Sequence, residues 1–334
     1  MRFATFEHAG SVRAGVVADA STGPMVHPLP TGMTVLDLVR TGLPAALDAG
    51  ANVLAQPGIP LDQVRLLPPL DPPTVRDFVA FEEHVEGVVA SVGDGAGVVP
   101  EWYQAPTFYF TNPYAMIGAH DQVQIPSGSE HFDFELEVAA VVGRDGRSLR
   151  PDQAEIFGYT IMNDWSARDL QRREMKVNLG PAKGKDFAST LGPWLVTADE
   201  LEPYRDADGF LALEMSVSVN GIPVGNDLLS NMGWPFEEIV AYASRGAQVR
   251  AGDVLGSGTC GNGGCLAELW GRRGGLDPQP LRPGDVVEMT VEGIGTIRNT
   301  VVAGTDLPPV APARPRPRNR TRSTAELLTT PAAS

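Results

Sequence analysis

The clearest alternation of polar and apolar positions is Asp133-Phe134-Glu135-Leu136-Glu137-Val138, which runs into the apolar stretch Ala139-Ala140-Val141-Val142. Period two means a strand. It puts Asp133, Glu135 and Glu137 on one face and Phe134, Leu136 and Val138 on the other. Three carboxylates side by side repel unless water solvates them or a cation joins them. Taken alone, the pattern favours the solvated outer face of an antiparallel sheet.

Similar β patterns predict strands over residues 2–8, 12–18, 25–29, 108–112, 157–162, 211–219, 286–291 and 295–302. Asn220-Gly221 closes a hairpin. Helical periodicity predicts 35–40, with Thr34 as cap and Gly42 as stop, and also 45–54, 165–174 and 236–244. In Leu266-Ala267-Glu268-Leu269-Trp270, read as a strand, Glu268 is an acid among apolar neighbours. That is uncommon in a core unless the acid is paired. Asp77 and His84, seven residues apart, would share a face on one continuous helix, and could still converge across a bend. Asp164 precedes Arg168 and Gln171, which share a helix face; as an alternative role Asp164 would serve as an N-cap.

The proline-rich run at 67–73 must be extended and stiff. It separates a small α+β segment at 1–68 from a larger one at 74–305. Residues 308–334 are rich in proline and arginine, cannot build a core and are expected to be a disordered tail.

Composition narrows the function. The chain has 334 residues, is 43% hydrophobic and 20% charged, and carries a formal net charge of -15 from 26 basic and 41 acidic residues. Such a chain would repel phosphate backbones, so nucleic acid is excluded as a partner. No apolar run is long enough to span a membrane. Only Cys260 and Cys265 are present, so no disulfide framework is expected, which fits a cytoplasmic protein. Gly256-Ser257-Gly258-Thr259-Cys260-Gly261 matches a dinucleotide fingerprint literally, but more loop follows it in place of a helix, and a dinucleotide site is rejected.

Several stretches together resemble the fumarylacetoacetate hydrolase family. They are residues 133–139 (Asp-Phe-Glu-Leu-Glu-Val-Ala), 163–171 (Asn-Asp-Trp-Ser-Ala-Arg-Asp-Leu-Gln), 184–187 (Gly-Lys-Asp-Phe), 257–259 with 266–269, and 281–287 with 292–295. The resemblance covers about residues 74 to 303. It implies an α+β, mostly β fold: a mixed, rolled β-sandwich preceded by a small N-terminal domain, commonly as a homodimer.

The resemblance also implies roles. The metal ligands fall on Asp77, Glu135, Glu137 and Asp164, the catalytic His on His84 and its partner acid on Glu268. The family's Arg, Gln and Lys, which act on substrate and oxyanion, fall on Arg168, Gln171 and Lys185, and a substrate-contacting Thr on Thr259. The family's diketoacid hydrolases carry two Tyr and an Arg where this chain has Val79, Met175 and Gly93. The resemblance thus implies the family's metal and water machinery and argues against fumarylacetoacetate itself as the substrate.

Four carboxylates without His or Cys make a hard oxygen site for Mg²⁺, Mn²⁺ or Ca²⁺. Such an ion would chelate a 1,3-dicarbonyl or 2-oxo acid, polarise its carbonyl and stabilise an enolate. A neutral His84 would take a proton from water, with Glu268 orienting the ring. The expectation is a metal-dependent hydrolase of a C–C bond in a β-diketone or acylpyruvate-like acid. The alternatives are a 2-oxo-acid decarboxylase, tautomerase or hydratase on the same site, and a non-catalytic metal-stabilised binding protein.

Overall fold

The apolar stretch after the acids becomes the strand Leu136–Val142, buried along its whole length because both of its faces are covered. Leu136, Val138, Ala140 and Val142 face a core shared with Met215, Val217, Met289 and Ile297 of a second sheet. Ala139 and Val141 face the other way, into a core with Leu38, Val39, Ala46 and Val53 of two N-terminal helices. A strand covered on both sides reads as a continuous apolar run. The computed structural model describes residues 1–92 and 97–315. Gly93 and residues 316–334 of the expected tail lie outside the described residues. Residues 308–315 are exposed and without regular structure.

The fold is α+β and mostly β. Among the described residues the larger sheet runs in the order Ile59–Pro60, Gly23–Pro28, Ser11–Ala20, Arg2–His8, Ser189–Thr197, Ile156–Asp164, Leu136–Val142, Val254–Gly256, Val75–Phe78, Phe108–Thr111. The N-terminal strands thus join the main sheet, Arg2–His8 pairing antiparallel with Ser189–Thr197. The second sheet runs Ile222–Leu228, Glu214–Val219, Val286–Val291, Gly295–Val302, Gln122–Gln124. The helix Val35–Thr41 begins at Thr34, whose side chain caps it by accepting from the Asp37 N–H. Among the described residues no helix is long and apolar enough to cross a membrane.

One expectation changes, and two alternatives that the sequence left open are decided. Glu268 lies on a helix, Leu266–Arg273, rather than a strand. Good helix formers, a left-handed Gly274 at the C-terminus and a Glu268–Arg272 pair four residues apart favour the helix, and the segment is too short for its period to decide. Asp77 and His84 do not share a helix: Asp77 lies in the strand Val75–Phe78 and His84 on the helix Glu82–Val92, and the bend between them lets both line one cavity. Asp164 is the last residue of a strand and not an N-cap; the helix starts only at Arg168, because Ser166–Ala167 pairs with Phe132–Asp133.

Candidate active site

Three adjacent strands of the large sheet bring the acids together. Val254–Gly256 pairs with Leu136–Val142 on one side and Val75–Phe78 on the other, with Gly256 opposite Asp77. A Cβ on Gly256 would stand 2.8 Å from Glu137 Oε2 and 2.9 Å from Asp77 Oδ1, so only glycine leaves room for both carboxylates. Asp77, Glu135 and Glu137 are all buried, and each offers an oxygen within 4.8 Å of the others. The solvated face that the alternation favoured is therefore an interior one. Glu137 Oε1, Glu137 Oε2 and Asp77 Oδ1 have no hydrogen-bond partner. Buried carboxylate oxygens without partners are costly. Such a hard, all-oxygen cluster fits a divalent cation such as Mg²⁺, Mn²⁺ or Ca²⁺.

Asp164 lies next to this trio but outside it. Its Oδ2 accepts from Lys185 Nζ at 2.6 Å and from the Tyr109 hydroxyl, and its Oδ1 from Ser189 at 3.1 Å. Lys185 also pairs with Glu135. Arg168 Nη1 reaches Glu135 Oε1 at 2.7 Å and donates to Gln171 Oε1 at 3.2 Å.

These pairings split the acids electrostatically. Burial pushes Asp77 and Glu137 well above the usual carboxylate range, helped by Asp164 acting on Asp77 and by Asp77 acting on Glu137. Burial would raise Glu135 too, but Lys185 and Arg168 outweigh it and hold Glu135 at about 2. Burial would lower Lys185, but Asp164 and Glu135 raise it instead.

His84 is buried, with Nδ1 3.8 Å from Cys265 Sγ. Burial lowers its pKa to about 4 against the opposing pull of Glu135, so the imidazole is neutral near pH 7. Glu268, expected as its partner, makes no hydrogen bond to it. Glu268 instead pairs with Arg272 at 2.8 Å and accepts from the Gly263 N–H at 3.3 Å. The two helices still pack closely, because Gly87 lets the Glu268 side chain lie against its backbone. Burial raises Glu268 to about 7, although Arg272 opposes the shift.

The sequence reading missed two side chains. Asp133, grouped there with the solvated acids, is fully buried. It accepts from Arg168 Nε at 2.8 Å and from the N–H groups of Leu266 at 2.8 Å and Ala267 at 3.0 Å. It thereby ties Arg168 to the first turn of the helix that carries Glu268. Tyr109, placed by the sequence only within the strand over 108–112, reaches Asp164 with its hydroxyl. No spacing in the sequence marks either contact.

A cavity of about 940 Å³ opens onto this cluster. Asp77, Glu135, His84, Arg168, Gln171, Lys185 and Thr259 line its inner end, while Glu137 lies behind them. Val79 and Met175, two of the positions that depart from the family pattern, also line it.

Residues 74–302 match the family model described as fumarylacetoacetate (FAA) hydrolase C-terminal, and the chain belongs to this family. Fumarylacetoacetase of Arabidopsis thaliana is 30% identical over 257 residues, 63% of this chain and 61% of its own length, so the chain spans about three fifths of that relative. Oxaloacetate tautomerase YisK of Bacillus subtilis is 29% identical over 245 residues, 72% of this chain and 74% of its own. The solved structure of fumarylacetoacetate hydrolase from Exiguobacterium antarcticum superposes with a TM-score of 0.70 at 27% identity, over 91% of this chain and 99% of that one. The family thus contains hydrolases and tautomerases alike.

Proposed function

We propose that the protein hydrolyses a C–C bond in a β-diketone or acylpyruvate-like acid, with Asp77, Glu135 and Glu137, and Asp164 beside them, holding a divalent ion. The observation that carries this reading is a neutral His84 on the wall of the cavity that the acids close. When bound, the ion supplies a Lewis acid that polarises the dicarbonyl oxygens.

The chain's own residues do the rest. Arg168 Nη2 is a buried donor without a hydrogen-bond partner, placed to take the substrate carboxylate. His84 accepts a proton from water as that water adds to the acyl carbonyl. Lys185 and Gln171 offset the oxyanion that forms. The C–C bond then breaks, its electron pair passes to the leaving carbon, and the proton held by His84 returns there. For an acylpyruvate, one water is consumed and a carboxylic acid plus pyruvate are released. Thr259, which also lines the cavity, would contact the substrate.

One observation favours a second reading, enolate chemistry without hydrolysis. Glu268 turns to Arg272 and not to His84, so nothing in the dyad position strengthens the base. Tautomerisation or decarboxylation of a 2-oxo acid needs no activated water.

Acylpyruvates, a fumarylacetoacetate-like diketoacid and oxaloacetate, each run with Mg²⁺ and with chelator, separate these readings. Hydrolysis predicts that the dicarbonyl ultraviolet band decays only with metal, with an acid and pyruvate as products. Metal-dependent consumption of oxaloacetate alone, without hydrolytic products from the others, would establish the second reading in its place.

A further inference from the structure

We infer, resting on the hydrolase reading above, that the substrate's acyl group is bulky and apolar, a medium-length alkyl chain or an aryl ring, and carries no second carboxylate. The cavity's buried polar side chains are those of the acid cluster and its partners, while Thr107, Arg172 and Lys176, which also line it, are exposed. Beyond the cluster its walls are formed by Val79, Phe108, Met175, Pro181, Trp270 and Leu276. At about 940 Å³ it is far larger than a four-carbon acid requires and lies at the upper end of pockets that take drug-sized ligands.

The charges divide the same way. Lys185 is engaged by Glu135 and Asp164, and Arg168 by Asp133 and Glu135. Arg168 Nη2 is left to take one carboxylate at the inner end. A second carboxylate at the far end of the substrate would meet apolar walls, where an unpaired charge is expensive. Arg172 and Lys176 stand at the mouth, but both are exposed, and an ion pair made in water gains little. An alkyl or aryl group removes apolar surface from water on both sides of the contact. The mouth itself offers such surface, since Met175 is 49% and Leu276 38% exposed.

The test compares kcat/KM with saturating Mg²⁺ for acetyl-, butanoyl-, octanoyl-, benzoyl- and fumarylpyruvate. The expected result is a rise of up to about fourfold per added methylene. Benzoylpyruvate should exceed fumarylpyruvate at least about tenfold. Met175→Arg, at a half-exposed position that tolerates a long side chain, should shrink the octanoyl-to-acetyl ratio and raise the fumaryl rate. A flat series, or a preference for acetyl- or fumarylpyruvate, overturns the inference. If no acylpyruvate turns over, the hydrolase reading fails. The apolar specificity is then read from binding of N-alkyl oxamates, unreactive 2-oxo-acid mimics, by calorimetry with Mg²⁺. Affinity that climbs with alkyl length supports it, and affinity indifferent to length overturns it.

Discussion

Glu137→Gln is expected to weaken divalent-cation binding at least about 100-fold and to remove metal-dependent turnover with it. Glu137 is fully buried and neither of its oxygens has a hydrogen-bond partner. The neighbouring acids have other attachments: Glu135 is held by Lys185 and Arg168, and Asp164 by Lys185, Tyr109 and Ser189. Glu137 and its neighbour Asp77, whose Oδ1 also lacks a partner, are therefore the carboxylates with least to do apart from a cation. The amide keeps the shape but removes the charge and turns one ligand atom into a donor. The same change relieves a buried carboxylate that the chain does not satisfy, so the metal-free variant should be more stable than metal-free wild type by about 1–3 kcal/mol. Calorimetric Mn²⁺ titration and thermal melting with and without metal check both halves. Unchanged Mn²⁺ affinity would remove Glu137 from the ligand set.

His84→Ala should leave Mn²⁺ affinity within about twofold of wild type while lowering kcat by about 10²–10⁴-fold. The imidazole stands on the cavity wall and is not one of the clustered oxygen ligands. His84→Gln, which fills the space better, should lose activity to a similar extent and so separates the lost base from a packing defect. A general base must be unprotonated to work, and His84 is held at about 4. The acid limb of the wild-type rate should accordingly fall near pH 4 rather than near the ordinary histidine value of about 6.5. Normal turnover by either variant would show that His84 is not the base.

The site was legible in the sequence where a motif fixes backbone position. The Glu-x-Glu alternation put two carboxylates on one face, and Asp77 joins them because parallel pairing sets it opposite Gly256. Asp164 was legible as a neighbour, but whether its oxygens face an ion or Lys185 depends on side-chain reach across strands, which spacing does not encode. The partnership of Glu268 with His84 was a matter of orientation. On a helix, a residue four positions on competes for the same carboxylate, and Arg272 takes it. Asp133 was hidden for a different reason. It shares the period of Glu135 and Glu137, but its partners, the N–H groups of Leu266 and Ala267, lie more than 130 residues away in the chain. The sheet order was equally invisible, because the junction of Arg2–His8 with Ser189–Thr197 rests on contacts between segments far apart in sequence.

The proposed reaction needs a divalent ion seated among three buried acids. An anomalous difference map from crystals grown with Mn²⁺ measures that directly. One peak is expected within about 2.0–2.6 Å of oxygens from Asp77, Glu135 and Glu137. No peak at millimolar Mn²⁺, or a peak held by other residues, would contradict it.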